Sequence, residues 1–274
     1  MQESQNDSVK KEGMRMSTRI GWTRQQLLVA FRLYCQMPFG RMHSGNPEII
    51  KYATLIDRTP SALAMKLVNI ASLDPAITAN GRKGLTGASS ADRAMWSEMQ
   101  SYWGRFAIDS QEAIRRVEGL NATDNVVHEL IIDHDLDDYT GYNRSVQSTA
   151  RIGHELFREA VLSSYDNRCC MTGLSLPQLL VASHIVPWSA HSENRLNPSN
   201  GLCLSALHDR AFDRGVITVA SDFTIQVSRR HAASDDKFFN SGLLAYDGKP
   251  ITLPTKFAPQ EEFLTYHRQN VFQS

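Results

Sequence analysis

An acidic, turn-rich stretch between residues 119 and 147 most constrains what this 274-residue chain can fold into. The stretch carries one arginine against six acidic side chains, and its DHDLDDYTGYNRS section has the composition of a linker. The lengths on either side of it suit two domains of about 100–150 residues each. We therefore predict a disordered tail over residues 1–19, a helical domain over 20–118, a linker over 119–148 and a second domain over 149–274.

Composition excludes several classes of protein. Apolar residues make up 42% of the chain, enough to build hydrophobic cores, so wholesale disorder is excluded. No apolar run approaches the ~18–20 residues of a membrane helix, and the N-terminus lacks the apolar segment of a secretory signal. Four cysteines are too few to form a disulfide scaffold at this length. We therefore expect a soluble cytoplasmic protein without membrane association.

Positive charge is concentrated in the first part of the chain, although the net charge is zero. Residues 1–118 carry 16 Lys and Arg against 11 Asp and Glu. A basic region suits a polyanionic partner such as nucleic acid, but a surplus of this size also fits an ordinary solvated surface. Charge alone leaves both interpretations open.

Two helix-start signals lie close together in this basic part. Asn46-Pro47 and Thr59-Pro60 each place a capping side chain before a proline at the first helical position. Two short helices joined by a tight turn, behind a longer helix starting near Trp22, have the layout of a helix-turn-helix or winged-helix-like module. A plain three-helix core fits the same pattern equally well.

The helix-turn-helix interpretation assigns a DNA-contacting face to the second short helix. Small, polar and basic side chains would lie on its outer face and enter the major groove of duplex DNA. Arg82 and Lys83 follow in a glycine-rich loop, which either contacts phosphates or forms a solvated hairpin. The predicted DNA-binding residues are Lys66, Asn69, Arg82 and Lys83.

The remaining sequence predicts an α+β protein. Residues 90–117 predict one helix, and Thr149 is predicted to cap another that leads into the second domain. In that domain LLVASHIVPW predicts a strand, GLCLSALHDRAF a helix with Ser199-Asn200 at its start, and VITVASDFTIQVS a hairpin. PQEEFLTYHRQNVF predicts a terminal helix that packs across this unit.

Three polar residues of the second domain, His184, Asn200 and His208, occur in a characteristic order. Around them stand a Cys-x-x-Thr-Gly motif starting at Cys169 and the strings SHIVPW, NRLNPSNGL and LHDRAFDRG. This set covers roughly residues 165–220 and resembles the HNH endonuclease family, whose catalytic unit is the ββα-metal fold. A bare His…Asn…His occurs in many proteins, whereas the ordered set with its intervening motifs is specific.

The resemblance implies a metal-dependent endonuclease that hydrolyses phosphodiester bonds. His184 would be the general base that takes a proton from water, since imidazole titrates near neutral pH. Asn200 would orient this base or support the metal, although an asparagine at a helix start can also be a cap. His208 would bind one Mg²⁺ or Mn²⁺ ion at the scissile phosphate.

The sequence departs from the family pattern at Ser183, where many HNH enzymes place an aspartate or histidine metal ligand. Asp209, Asp213 or water would then complete the ligand set. Paired Cys-x-x-Cys motifs are absent, and the cysteines are not spaced for a tetrahedral site. We therefore expect no structural zinc.

This combination of domains resembles bacterial restriction or phage-defence endonucleases, so we expect that role, with duplex DNA as the partner. A single HNH site cuts one strand at a time, so cleavage of both strands would favour a homodimer. Two alternatives remain open: a DNA-binding regulator with an inactive nuclease domain, which Ser183 would suit, and an RNase or toxin of the same fold.

Overall fold

Helices build the first part of the fold. The computed structural model describes residues 21–79, 87–120, 144–230 and 236–274. Within residues 21–79 and 87–120 it contains helices and no β-strand, so the winged-helix variant is not confirmed. The helices are α1 (Arg24–Gln36), α2 (Pro47–Leu55), α3 (Pro60–Ala71), α4 (Pro75–Ala79), α5 (Ser90–Ser101) and α6 (Trp103–Val117).

The second part combines helices with two small antiparallel sheets, which confirms the predicted α+β class. Strands β1 and β2 form one sheet and β3 and β4 the other. Among the described residues, no helix is both long enough and apolar enough to cross a membrane. The elements are α7 (Arg144–Ser164), β1 (Leu180–His184), β2 (Gly201–Ser205), α8 (Ala206–Asp213), β3 (Ile217–Val219), β4 (Ile225–Val227), α9 (Lys237–Gly242) and α10 (Glu261–Asn270).

The two short helices begin where their capping residues predict. The side chain of Asn46 accepts a hydrogen bond from the Glu48 amide at the start of α2, and Thr59 accepts one from the Ala62 amide at the start of α3. Each helix has proline at its first position, where the missing N–H costs nothing. The predicted pair of helices is therefore confirmed.

Three predicted elements differ in the structure. Residues 90–117 form two helices, because Tyr102 has a non-helical backbone conformation (φ −154°, ψ 76°) between α5 and α6. The helix predicted to follow its cap Thr149 begins earlier, at Arg144. Residues 201–205, predicted as helix, form β2, because pairing with β1 and burial of all five residues outweigh their helical spacing.

Helix α10 packs across the second domain as predicted. The ring of His267 stacks on Phe212 of α8 with centroids 3.7 Å apart, and its Nδ1 lies 2.8 Å from the Thr218 hydroxyl on β3. Burial lowers the pKa of His267 to about 4, so this imidazole is neutral at pH 7. His267 is thus part of the core.

Helix α7 joins the two parts because it packs on both of them. Leu156 and Ala160 lie in the hydrophobic core of the N-terminal helices, whereas Phe157 and Val161 lie in the core around β1 and β2. Arg32 of α1 forms an ion pair with Glu159 at 3.0 Å, and the Ser163 hydroxyl donates to the carbonyl of Cys35.

The C-terminus of α1 is capped by a lysine from the other end of the chain. The ammonium of Lys256 donates to the carbonyls of Tyr34 (2.6 Å), Cys35 (3.2 Å) and Met37 (2.9 Å). The last carbonyls of a helix lack intrahelical donors and carry partial negative charge, so a cation stabilises them. Burial lowers the pKa of Lys256 to about 8, and the amine therefore remains mostly protonated at pH 7.

The residue after Lys256 enters the core of the N-terminal helices. The amide of Phe257 donates to the buried carboxylate of Asp74 at 3.0 Å, and the Tyr34 hydroxyl donates to the same oxygen at 2.8 Å. The Phe257 ring packs against the rings of Tyr34, Trp96 and Trp103. The two parts of the chain therefore share one packed junction.

Replacing Lys256 with methionine tests this junction. We expect Lys256→Met to lower the free energy of unfolding by about 3 kcal/mol, since it takes the ammonium donor away from the buried carbonyls of Tyr34 and Met37 and leaves Cys35 with the Ser163 hydroxyl alone. Urea unfolding followed by tryptophan fluorescence measures the change. The control Lys249→Met removes an exposed lysine and should change stability by less than about 0.5 kcal/mol. A loss below about 1 kcal/mol in Lys256→Met would show that the cap contributes little.

Candidate active site

His184 is the last residue of β1, and its ring is held by contacts that include the Arg195 carbonyl and the Phe157 ring. Its Nε2 lies 2.9 Å from the carbonyl oxygen of Arg195, in the loop between β1 and β2. Because a carbonyl only accepts hydrogen bonds, Nε2 carries the proton of the neutral ring and Nδ1 is the nitrogen that can accept one. On α7, the Phe157 ring lies parallel to the imidazole at 4.2 Å. Both the tautomer and the orientation of His184 are thus set.

Gly201 makes room for this stack. It pairs with His184 across the β1–β2 ladder, on the same face of the sheet. A Cβ at this position would lie 2.4 Å from Val161 Cγ2 and 3.0 Å from Phe157 Cζ. The residue opposite His184 must therefore be glycine for α7 to approach closely enough to hold the imidazole.

Asn200 holds the loop that carries Arg195. It is 1% exposed, and its Oδ1 accepts from the Val186 amide at 2.8 Å. Its Nδ2 donates to the carbonyls of Val186 and Asn194. Asn200 ends a short 3-10 helix (Pro198–Asn200) before β2, so its predicted place at a helix start is wrong. These contacts suit a residue that orients the base and leave the predicted metal-ligand role of Asn200 without structural support.

His208 lies in the first turn of α8, the helix that packs against β1 and β2. Its Nδ1 lies 2.7 Å from the Ser205 hydroxyl, and its Nε2 is buried without a hydrogen bond to the described residues. Burial lowers the pKa of His208, and the carbonyl of Gly242 partly offsets this effect. Nε2 can offer a lone pair to a metal in the tautomer in which Nδ1 donates to Ser205, whereas the opposite tautomer directs an Nε2–H toward the Gly242 carbonyl.

Ser183 lies next to His184 on β1 and is buried. It is 2% exposed, and its hydroxyl makes no hydrogen bond to the residues that the structure describes. Successive strand residues point to opposite faces, so Ser183 lies on the face opposite His184 and the Phe157 stack. Helix α8 packs against both β1 and β2.

The divalent ion that the family resemblance implies can be tested against these side chains. Within the described ranges, no group of three or more His, Cys, Asp or Glu could hold a metal. The orphaned Nε2 of His208 nevertheless suits one bond to an ion, and Mg²⁺ in proteins keeps several waters and takes substrate phosphates as further ligands. His208 therefore fits as a single protein ligand of the ion. The hydroxyl of Ser183 would be a weak, uncharged metal ligand.

The cysteines near this unit are buried thiols. Burial raises the pKa of Cys203 to about 12 and the pKa of Cys170 well above its ordinary value. Metal binding needs thiolates, which such pKa values disfavour. The expectation of no structural zinc stays a prediction.

The structure separates the predicted DNA-binding residues. Lys66 is buried, and its ammonium contacts both carboxylate oxygens of Asp92 on α5 at 2.7 and 2.9 Å. The prediction that Lys66 lies on the outer face of α3 is therefore wrong, because this lysine neutralises a buried carboxylate. Asn69 is half-buried beside Gly87. Arg82 and Lys83 lie outside the described residues.

Sequence reasoning missed the groups that hold His184. Phe157, Gly201 and the carbonyl of Arg195 all act on its ring, yet none has a sequence signal of its own. Gly201 and Arg195 do lie within the string NRLNPSNGL, directly beside the residues that were singled out.

Adding one methyl group at Gly201 tests the arrangement. We expect Gly201→Ala to cost about 1–3 kcal/mol of unfolding free energy, because α7 must shift or Phe157 must leave its rotamer. In NMR spectra the ring protons of His184 should shift as the parallel Phe157 ring moves. Gly40→Ala, where an added Cβ meets nothing within 4 Å, is the control. An unchanged His184 spectrum in Gly201→Ala would contradict the close packing.

Comparison with known proteins agrees with this geometry. No curated protein matches the chain. The family model described as HNH endonuclease matches residues 169–220, which contain β1, β2, α8 and β3. This match confirms the resemblance seen in the sequence and indicates a nuclease in general terms. Residues 169–220 of this chain are therefore similar to the HNH endonuclease family.

Proposed function

We propose that this protein is a metal-dependent endonuclease that hydrolyses phosphodiester bonds of DNA in a bacterial restriction or phage-defence system. The observation that carries the proposal is the hydrogen bond from His184 Nε2 to the Arg195 carbonyl, inside the HNH segment. It leaves Nδ1 as the basic nitrogen at the end of β1, which is what a general base needs.

In this mechanism, Nδ1 of His184 takes a proton from the water that attacks phosphorus. The imidazole becomes positively charged as it does so, and the Arg195 carbonyl stabilises that charge through the Nε2–H bond. The parallel ring of Phe157 prevents the imidazole from rotating. Asn200 contributes indirectly, since it fixes the loop that bears the carbonyl.

His208 is the residue that would hold the divalent ion, through Nε2. When bound, Mg²⁺ or Mn²⁺ would neutralise charge at the scissile phosphate and at the leaving 3′ oxygen. Ser205 keeps the His208 ring oriented through Nδ1. Asp209 and Asp213 follow on α8 as further candidates to complete the ligand set.

Support for DNA as the substrate comes from the charge of the N-terminal part. Residues 1–118 have the basic surplus, but Lys66 does not contribute to it at the surface because Asp92 neutralises it. Arg82 and Lys83 remain the candidates for phosphate contacts. A homodimer would allow cleavage of both strands, since one HNH site cuts one strand.

The oriented His184 also separates the two alternatives. A DNA-binding regulator with an inactive domain has no need for an imidazole held by a carbonyl and a stacked ring, so the geometry favours an enzyme. An RNase or toxin would use the same site, and parallel assays on plasmid DNA and on RNA distinguish it from a DNase.

Removing the base tests the mechanism. We expect His184→Ala to reduce turnover of plasmid DNA by about 10²–10⁴-fold and to leave DNA affinity nearly unchanged, since the ring acts in proton transfer. The control His191→Ala removes an exposed histidine of the same loop and should cleave normally. Cleavage by His184→Ala at a rate close to wild type would rule out this role.

Removing divalent ions with a chelator tests whether cleavage depends on a metal. Cleavage should stop in EDTA and return with added Mg²⁺ or Mn²⁺, because the ion would stabilise the charge that develops on the leaving oxygen. His208→Ala should need a higher Mn²⁺ concentration for half-maximal activity. Full activity in excess chelator would remove the metal from the mechanism.

A further inference from the structure

Arg195 places two different groups beside the base. Its carbonyl oxygen accepts the hydrogen bond from His184 Nε2, and its side chain leaves the same Cα. The residue that holds the imidazole through its backbone therefore also carries a guanidinium.

The guanidinium is held in one orientation by Trp188. The Nε of Arg195 donates to the Trp188 carbonyl at 2.7 Å, and its Cζ lies 4.9 Å from the centroid of the Trp188 ring. Trp188 is itself packed against His154 of α7, with centroids 4.1 Å apart, and its ring meets the His184 ring edge-on at 5.6 Å. Arginine stacked in this way loses little further side-chain entropy on binding a ligand.

The charge of this guanidinium is not neutralised by the described residues. Arg195 is half-buried, yet none of the ion pairs in the described ranges includes it. Arg32 and Arg268, by comparison, pair with Glu159 and Glu261. Within the described ranges Arg195 donates from Nε alone, so its two terminal nitrogens keep four N–H donors for a ligand.

A pre-oriented guanidinium with two such nitrogens matches two oxygens of a phosphate group. We propose that Arg195 binds the scissile phosphodiester by donating hydrogen bonds from its two terminal nitrogens to the two nonbridging oxygens, while His184 activates the water. This inference rests on the proposed nuclease function and adds a substrate-binding residue to it. Because the carbonyl and the side chain belong to one residue, Arg195 would fix the position of the bound phosphate relative to the base.

The binding test uses full-length protein in a His184→Ala background, which prevents cleavage. Affinity for a 20-base-pair DNA duplex is measured by fluorescence anisotropy at several KCl concentrations. We expect adding Arg195→Gln to weaken binding about tenfold and to reduce the slope of log affinity against log salt by about 0.9, the value for one phosphate contact. Arg229→Gln, which removes an equal charge from an exposed position, should leave the slope unchanged. If Arg195→Gln only disturbed the structure of its loop, affinity could fall but the slope of log affinity against log salt would not change.

The cleavage test uses the active enzyme. Arg195→Gln should lower kcat/KM by about 10²-fold or more, and Arg195→Lys should keep the salt slope but recover only part of kcat/KM, because an ammonium lacks the two-nitrogen geometry. If thermal unfolding shows that Arg195→Gln does not fold, the cleavage rate of Arg195→Lys decides whether Arg195 binds the phosphate. A folded Arg195→Lys that cleaves at the wild-type rate would overturn the inference.

The remaining outcomes separate this inference from the function it rests on. A wild-type protein that cleaves DNA, with Arg195→Gln matching Arg229→Gln in affinity, slope and rate, would overturn the role of Arg195 and leave the nuclease intact. A wild-type protein that neither binds nor cleaves DNA or RNA would overturn both.

Discussion

The buried ammonium of Lys256 is the interaction on which the arrangement of the two parts depends. Three carbonyls at the end of α1 have no donors within their own helix, and burying them without a partner would cost more than most single side chains contribute. Lys256 supplies the donors, and its neighbour Phe257 fills the adjoining aromatic core. The carbonyls at the end of α1, in the N-terminal part, thereby receive their hydrogen bonds from a lysine of the C-terminal part.

Helix α7 connects this junction to the HNH segment. Ser163, near its C-terminus, contacts both the end of α1 and Lys256. Two turns earlier, Phe157 stacks on His184, and its close approach requires a glycine at position 201. The orientation of the base thus follows from a helix whose other face is packed in the N-terminal core. The proposed chemistry is supported by the packing of the whole chain, rather than by the HNH segment alone.

Local signals were predictable from sequence, and long-range partners were not. Asn46 and Thr59 marked helix starts because a cap acts within three residues, and the HNH motif identified His184 and His208. Residues 201–205 were misassigned because the strand depends on pairing with β1. Lys66 was misplaced because its partner Asp92 lies 26 residues away. Nothing near Lys256 in the sequence indicates that its acceptors are about 220 residues distant.

That separation has a consequence for synthesis of the protein. Lys256 lies 222 residues after Tyr34, so α1 and the helices packed on it emerge from the ribosome long before their capping cation exists. The HNH segment, which ends at residue 220, is also complete by then. Contacts that close such long loops form late, and partly assembled chains expose apolar surface meanwhile. The order of translation therefore places the synthesis of His184 and His208 before the point at which Lys256 can join the N-terminal helices to the second domain.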